Sequence, residues 1–326
     1  MKKAILPVLM SAMFVVPAVS HAENQEAVKQ LTPKTEQAMQ KTGWVKEGNT
    51  WYFYDQNGVK KTGWIENGNF YLNADGTMKT GWLQDKGKWY HFDEDGRITL
   101  KLKTINGKTY YFGTEGVMST GWIDFGRSDA VWRYFNEEGS MVTDWKKIDD
   151  NWYYFDSNGY MATGWKNING SWYYFNEDGT MIKDWKNING KWYYFYEEGS
   201  MATDFGTMNG KTYYFDANGA MSTGWVYFGN SYGGQWRYFN EDGSMARDWK
   251  NINGSWYYFN DHGYMATGWL KENNNWYYLN ANGSMKTGWL QDNESWYYLQ
   301  SNGAMAIGKH FIDGKWYSFK DNGVMM

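Results

Sequence analysis

The stretch TGWKNINGSWYYFNEDGTMIKDW, residues 163 to 185, is followed in the same register by KDWKNINGKWYYFYEEGSMATDF, residues 183 to 205. Each segment holds a short run opened by Gly-Trp or Asp-Trp, an Asn-Gly pair, a run such as Trp172-Tyr173-Tyr174-Phe175, and a polar stretch closed by glycine. Asn-Gly between aromatic or β-branched residues is a strong hairpin signal, because a type I′ turn needs positive φ at both central positions. With Asn169 and Gly170 in those positions, Ile168 pairs with Ser171, Asn167 with Trp172, Lys166 with Tyr173 and Trp165 with Tyr174. Side chains alternate across a strand, so Trp165, Trp172 and Tyr174 share one face while Ile168, Tyr173 and Phe175 share the other. Asn176-Glu177-Asp178-Gly179 carries turn chemistry.

Outward from this stretch, the pattern runs from Gly43 to the C-terminus with a period of about twenty residues. Its turn glycine recurs fourteen times, from Gly58 to Gly323. A lone hairpin is marginal in water and would leave both ring-bearing faces wet. Stacking solves this, so the expected fold is all-β: a solenoid of about fourteen β-hairpin units of about 20 residues over 41–326, each touching its neighbours. A longer repeat lies over the short one. TINGKTYYFGTEGVMSTGWIDFG (104 to 126) returns as TMNGKTYYFDANGAMSTGWVYFG (207 to 229), which points to duplication of a block. The units holding Trp122 to Trp132 and Trp225 to Trp236 have lengthened first loops, expected to project from the solenoid and read as loop variation.

An aromatic share of 21% with 38 glycines is far from the composition of an ordinary globular enzyme. The absence of cysteine excludes disulfides, thiolate metal sites and a cysteine nucleophile. A formal charge of -4 without a basic run argues against nucleic acid. Residues 1–22 place Lys2 and Lys3 before an apolar run and end in Ser20 and Ala22, which reads as a signal peptide cut before Glu23. The run is short and interrupted by Pro7 and Pro17, so it is not read as a membrane anchor, and no other stretch could serve as a transmembrane segment. Residues 23–40 read as a polar linker.

Two tryptophans of one unit and a tyrosine of the next can line a groove between stacked hairpins. Three electron-rich faces suit a quaternary ammonium, which has no N–H to donate and gains from ring quadrupoles and burial of its methyl groups. The methionine two residues after the turn glycine, as in Met161, Met181 and Met265, is expected to floor such a groove with a polarisable sulfur. The Tyr173/Phe175 face is read as core.

The pattern G-W-x-x-x-x-G-x-W-Y-Y-F-x-x-x-G-x-M-x-T-G-W resembles the choline-binding repeat of pneumococcal surface proteins and murein hydrolases, and it covers residues 41–326. Among these the chain is most similar to members made almost wholly of repeats. The resemblance implies a left-handed superhelix with attachment to choline or phosphocholine on teichoic and lipoteichoic acids, each site built from two tryptophans of one repeat and a tyrosine of the next. Carried onto this sequence, the family site falls on Trp82, Trp89 and Tyr111; Trp122, Trp132 and Tyr154; Trp145, Trp152 and Tyr174; and Trp165, Trp172 and Tyr194. It continues on Trp185, Trp192 and Tyr214; Trp225, Trp236 and Tyr258; Trp249, Trp256 and Tyr278; and Trp269, Trp276 and Tyr298. The second tyrosine of each pair is taken because it shares a face with the tryptophans.

Other units depart from the pattern. Those with Leu102 and Thr109, and with Phe205 and Thr212, lack both tryptophans; Trp44 and Trp51 are expected to meet Leu72, Trp64 to precede Phe70 and His91, and Trp289 and Trp296 to meet Ser318. Lys309 replaces the last first-strand tryptophan. About eight full sites are expected.

No enzyme is expected: pairs such as Asp149-Asp150 and Glu137-Glu138 sit mostly in turns that recur each period, whereas a catalytic pair should occur once in a distinctive pocket. The histidines form no triad or metal spacing, Asp93-Glu94-Asp95-Gly96 lacks a full calcium ligand set, and neither cofactor nor metal is called for. The expected function is a non-enzymatic secreted protein held non-covalently on a bacterial cell wall, with other choline-binding hydrolases or host proteins as further partners. Two alternatives stay open: a glucan-binding repeat protein that stacks sugars on the same rings, and a structural spacer.

Overall fold

The computed structural model describes residues 40–126, 131–230 and 233–326. The expected leader at 1–22 and the linker at 23–40, save Gln40, lie outside the described residues. Two compact units are distinguished, Met1–Thr80 and Gly81–Met326.

In the first unit, Gly43–Glu47 pairs antiparallel with Thr50–Tyr54, and Gly63–Ile65 with Phe70–Leu72 across a short 3-10 turn, Glu66–Gly68. Met78 N–H donates to Trp51 O at 2.8 Å, tying the second hairpin's exit to the first hairpin. The second unit repeats this arrangement from Gly81–Asp85 with Lys88–Phe92 through to Gly308–Ile312 with Lys315–Phe319. Every described sheet has two strands, and consecutive strands pair.

The register is the one the Asn-Gly turn dictates: Ile168 opposite Ser171, Asn167 opposite Trp172, Lys166 opposite Tyr173, Trp165 opposite Tyr174. Asn169 and Gly170 both have positive φ, 53° and 90°. The residue that opens each hairpin also lies in the left-handed region, Gly164 at 64° and Asp184 at 65°, which explains why Gly or Asp precedes the tryptophan. After each hairpin the chain folds back: Gly179 N–H donates to Asn176 O at 3.0 Å, and Asp178 accepts from both the amide and the hydroxyl of Thr180.

Stacking uses one contact over and over. Met181 N–H donates to Trp152 O at 2.9 Å, as Met161 does to Trp132 and Met265 to Trp236. The face carrying Ile168, Tyr173 and Phe175 thereby lies against Trp145 and Tyr154 of the preceding hairpin, around a core of Ala162, Ile168 and Phe175. Phe155, Phe195, Phe215 and Phe259 are fully buried, and each such ring contributes about 1.5–3 kcal/mol by leaving water. Each unit is thus built of the stacked hairpins of the all-β solenoid that the period calls for, with its core between successive hairpins.

Candidate functional site

Grooves open where the tryptophan face of one hairpin meets the opposite face of the next, at three joints among the described residues. Trp145 and Trp152 stand edge to face, 6.4 Å between ring centroids and 84° between planes. Tyr173 of the next hairpin lies 4.9 Å from Trp145. With Met181 and Glu198 these rings line a cavity of about 400 Å³. The same architecture recurs around Trp225, Trp236, Tyr257 and Met265, also about 400 Å³, and around Trp269, Trp276, Tyr297 and Met305, about 290 Å³. The rim is completed from the turn of the hairpin after next: by Glu198, by Ala281 and Asn282, or by Asn322.

The tryptophan pairs come together as expected: Trp82 with Trp89 at 6.2 Å, Trp122 with Trp132 at 6.4 Å and Trp165 with Trp172 at 6.2 Å. Trp225 with Trp236 and Trp269 with Trp276 follow at 6.3 and 6.4 Å. Trp185, Trp192, Trp249 and Trp256 occupy the same strand positions in their hairpins. Most second-strand rings are exposed, Trp172 and Trp192 at 46% each, whereas Trp132 is half-buried, so most of these ring sets keep a wet ring at the mouth.

The tyrosine is corrected by one residue. The ring across from each tryptophan pair is the first of the two tyrosines: Tyr110 on Trp82 (4.8 Å), Tyr153 on Trp122 (5.0 Å), Tyr193 on Trp165 (4.9 Å) and Tyr213 on Trp185 (4.8 Å). Tyr257 on Trp225, Tyr277 on Trp249 and Tyr297 on Trp269 complete the series at 4.8–4.9 Å. The expected Tyr154, Tyr174, Tyr194, Tyr258 and Tyr278 instead pack beside the tryptophan of their own hairpin at 5.1–5.3 Å, as does Tyr298. Tyr111 packs on Phe125 and Tyr214 on Phe205. The reason is stacking polarity. Each hairpin shows its neighbour the face opposite to its own tryptophans, so the partner ring must come from the face of Phe175, not the face of Tyr174. The Tyr173 side is therefore both core, through Phe175, and groove wall.

The same correction adds a ninth set of rings, since Trp289 and Trp296 meet Tyr317 at 4.8 Å from Trp289 and not Ser318, which sits opposite Lys309. Trp44 meets Phe70 at 4.9 Å, not the buried Leu72. Met181 and Met265 line grooves, and Met161, Met181 and Met265 alike pack where a Cβ on Gly179, Gly199 or Gly283 would collide. Alternation along the strand is the sequence signal that carries the right tyrosine, once the neighbour's face is known.

The tips of the lengthened loops, 127–130 and 231–232, lie outside the described residues; at their bases Phe125 and Phe228 lie 6.4 and 6.5 Å from the buried Phe135 and Phe239.

Electrostatics at the tyrosines is uneven. Burial pushes the Tyr153 phenol up, and Tyr258, raised by burial and then by a 3.0 Å hydrogen bond to Glu272, is pushed up to about 12. Asp242, which accepts from Ser244 and from Lys211, is held down at about 2. Among the described residues no group of three or more His, Asp or Glu side chains could hold a metal ion.

Comparison with known proteins bears on this geometry. The choline-binding repeat family matches residues 100–144, 142–165, 162–204, 202–248 and 246–288, and a putative cell wall binding repeat matches 42–60, 80–98, 287–305 and 310–325. Among solved structures, CbpJ of Streptococcus pneumoniae is 31% identical over 76% of this chain and 100% of its own, with a TM-score of 0.57. Choline binding protein F of Streptococcus pneumoniae is 32% identical over 76% of this chain and 98% of its own, with a TM-score of 0.53. A structure of CbpF in complex with ipratropium is 30% identical over the same shares, with a TM-score of 0.52. No curated protein matches the chain by sequence. With its repeats matched over more than half of its length, the chain belongs to the choline-binding repeat family.

Proposed function

We propose that the protein is exported, performs no catalysis, and holds non-covalently to the bacterial surface by binding the choline of teichoic and lipoteichoic acids. The observation that carries this reading is the groove itself: two perpendicular tryptophans, one tyrosine of the next hairpin and a methionine, as in Trp269, Trp276, Tyr297 and Met305. A trimethylammonium group fits such walls because each ring face attracts it by about 0.5–2 kcal/mol and the methyl groups leave water. A sugar would call for hydrogen-bonding partners beside each ring. The ligand-binding set proposed is the tryptophan pairs from Trp82 and Trp89 to Trp289 and Trp296, with the first tyrosine of the following hairpin. The relative CbpF is described with ipratropium, a compound whose cation is a quaternary ammonium.

Repetition supports attachment. Sites of roughly millimolar affinity become durable when several engage one polymer. Choline chloride, and neither sodium chloride nor glucose oligomers at matched concentration, should raise the unfolding midpoint and perturb the near-UV tryptophan circular dichroism. A response to the sugars alone would make the grooves glycan sites. Occupation of wall choline would also modulate hydrolases that dock there; unchanged wall lysis by purified choline-binding hydrolases at saturating protein would remove that role.

A further inference from the structure

The hairpins that lack both tryptophans do not leave their joints without rings or charge. Where other hairpins present the groove tyrosine, the next hairpin presents an arginine: Trp132-Arg133-Tyr134-Phe135 and Trp236-Arg237-Tyr238-Phe239. The Arg237 guanidinium carbon lies 4.7 Å from the Phe205 ring centroid, 4.6 Å from Phe228 and 4.3 Å from Tyr264. Arg133 lies 4.6 Å from Phe125 and 4.2 Å from Tyr160. Arg133 is only 7% exposed, and its Nε has no hydrogen-bond partner among the described residues. Arg237 Nε donates to the carbonyl of His262 at 3.2 Å. The ion pairs among the described residues all use other cations or surface carboxylates, and neither arginine takes part in one. Arg133 is buried and Arg237 half-buried; with no carboxylate partner among the described residues, each guanidinium is compensated by the ring faces around it.

The parts come from three hairpins and travel together. The position before the repeat methionine is Ser, Thr, Ala or Val in most units and tyrosine only at Tyr160 and Tyr264, each one hairpin beyond an arginine. Phe125 follows the first strand of its lengthened hairpin and Phe228 lies within the first strand of its own, opposite Gln235. Both joints lie in the duplicated block, so their likeness began as a copy. The copies have since diverged, Leu102 against Phe205 and Asp124 against Tyr227, yet arginine, phenylalanine and tyrosine are the same in both.

We propose that these joints are cation cages filled by the chain itself: the guanidinium of Arg133 or Arg237 sits where an external quaternary ammonium would sit in a tryptophan groove. Such joints take no choline, hold neighbouring hairpins together without ligand, and separate the run of grooves from Trp122 to Trp192 from the run that starts at Trp225. The proposal borrows from the preceding reading only the preference of ring cages for cations, and its decisive probe is methylguanidinium, not choline.

The test is thermal unfolding of the choline-free full chain as wild type, Arg237→Ala and Arg237→Gln, with methylguanidinium chloride or sodium chloride at equal low millimolar concentration. Both substitutions are expected to lower the midpoint by at least about 2 °C. Methylguanidinium should raise the midpoint of Arg237→Ala more than that of wild type. A wild-type midpoint in Arg237→Gln, which keeps an N–H donor on a shorter, uncharged side chain, would overturn the proposal, as would a loss in Arg237→Ala that methylguanidinium does not recover. If both variants fail to fold, crystals of the wild type soaked in methylguanidinium and in choline decide: added density beside Phe205 and Phe228 refutes self-occupation, and an unchanged Arg237 there supports it. Failure of choline at every tryptophan groove would defeat the preceding proposal and leave this one standing or falling on the methylguanidinium result.

Discussion

Tyr193 and Tyr194 are adjacent in the chain and do opposite work. Tyr193 faces Trp165 of the hairpin before it, whereas Tyr194 packs at 5.1 Å beside Trp185 of its own hairpin. Tyr193→Ser is expected to weaken one groove by about 0.5–2 kcal/mol, so that calorimetry with choline reports one site fewer, while Tyr193→Phe keeps the site. Tyr194→Ser should lower the unfolding midpoint and leave the stoichiometry intact; a lost site there would reverse the assignment. Tyr258 offers a titration at the same scale. Its phenol is raised to about 12 by burial and by Glu272, which accepts its proton in a hydrogen bond and repels the phenolate. The stability it lends is present below the ordinary phenol value near 10 and is lost as pH rises through about 12. Glu272→Gln should bring the phenolate absorbance transition of this residue down toward, though not to, the ordinary value, because burial remains.

At the scale of the hairpin, the turns decide how much strain each unit carries. Gly170 meets the demand for positive φ without a Cβ; Glu294 meets it at φ 65° with one. Glu294→Gly should therefore stabilise its unit, by up to about 1 kcal/mol, read as a rise in the unfolding midpoint. Gly179 is held for two reasons, φ of 82° and the Met161 side chain lying where its Cβ would be, so Gly179→Ala should destabilise by more than the backbone strain alone. The connecting turns also set the acid limit. Asp75, Asp178 and Glu198 are held below their ordinary values chiefly by hydrogen bonds from side chains or backbone amides of their own turns, and Asp242 is held at about 2. Depressed carboxylates stabilise above their unfolded values and lose that contribution as pH falls through the folded ones. The midpoint should accordingly hold down to about pH 4 and drop between there and about pH 2; Asp242→Asn should flatten part of that drop.

Across the whole molecule, stability adds up from unit and neighbour terms, so weak units can open alone. Each occupied groove contributes RT ln(1 + [L]/Kd), about 1.4 kcal/mol at ten times Kd, on top of the hairpin contacts that form it. Choline should then steepen unfolding as well as raise its midpoint, because a ligand held by two hairpins couples their opening. A midpoint that rises without steepening would mean that each site is built within a single hairpin.

The sequence by itself determines the period, the hairpin and its register, because these rest on local chemistry: Asn169 and Gly170 at positive φ, alternation along five-residue strands, and a glycine closing each connection. It also marks the tryptophan pairs, which share a face within one hairpin and need no partner to be placed. The choice between Tyr173 and Tyr174 is not local. It depends on which face of one hairpin meets the next, and that is fixed by backbone bonds between hairpins such as Met181 N–H to Trp152 O. The arginine cages are tertiary for the same reason: Phe205, Arg237 and Tyr264 belong to three successive hairpins and become neighbours only when the stack forms.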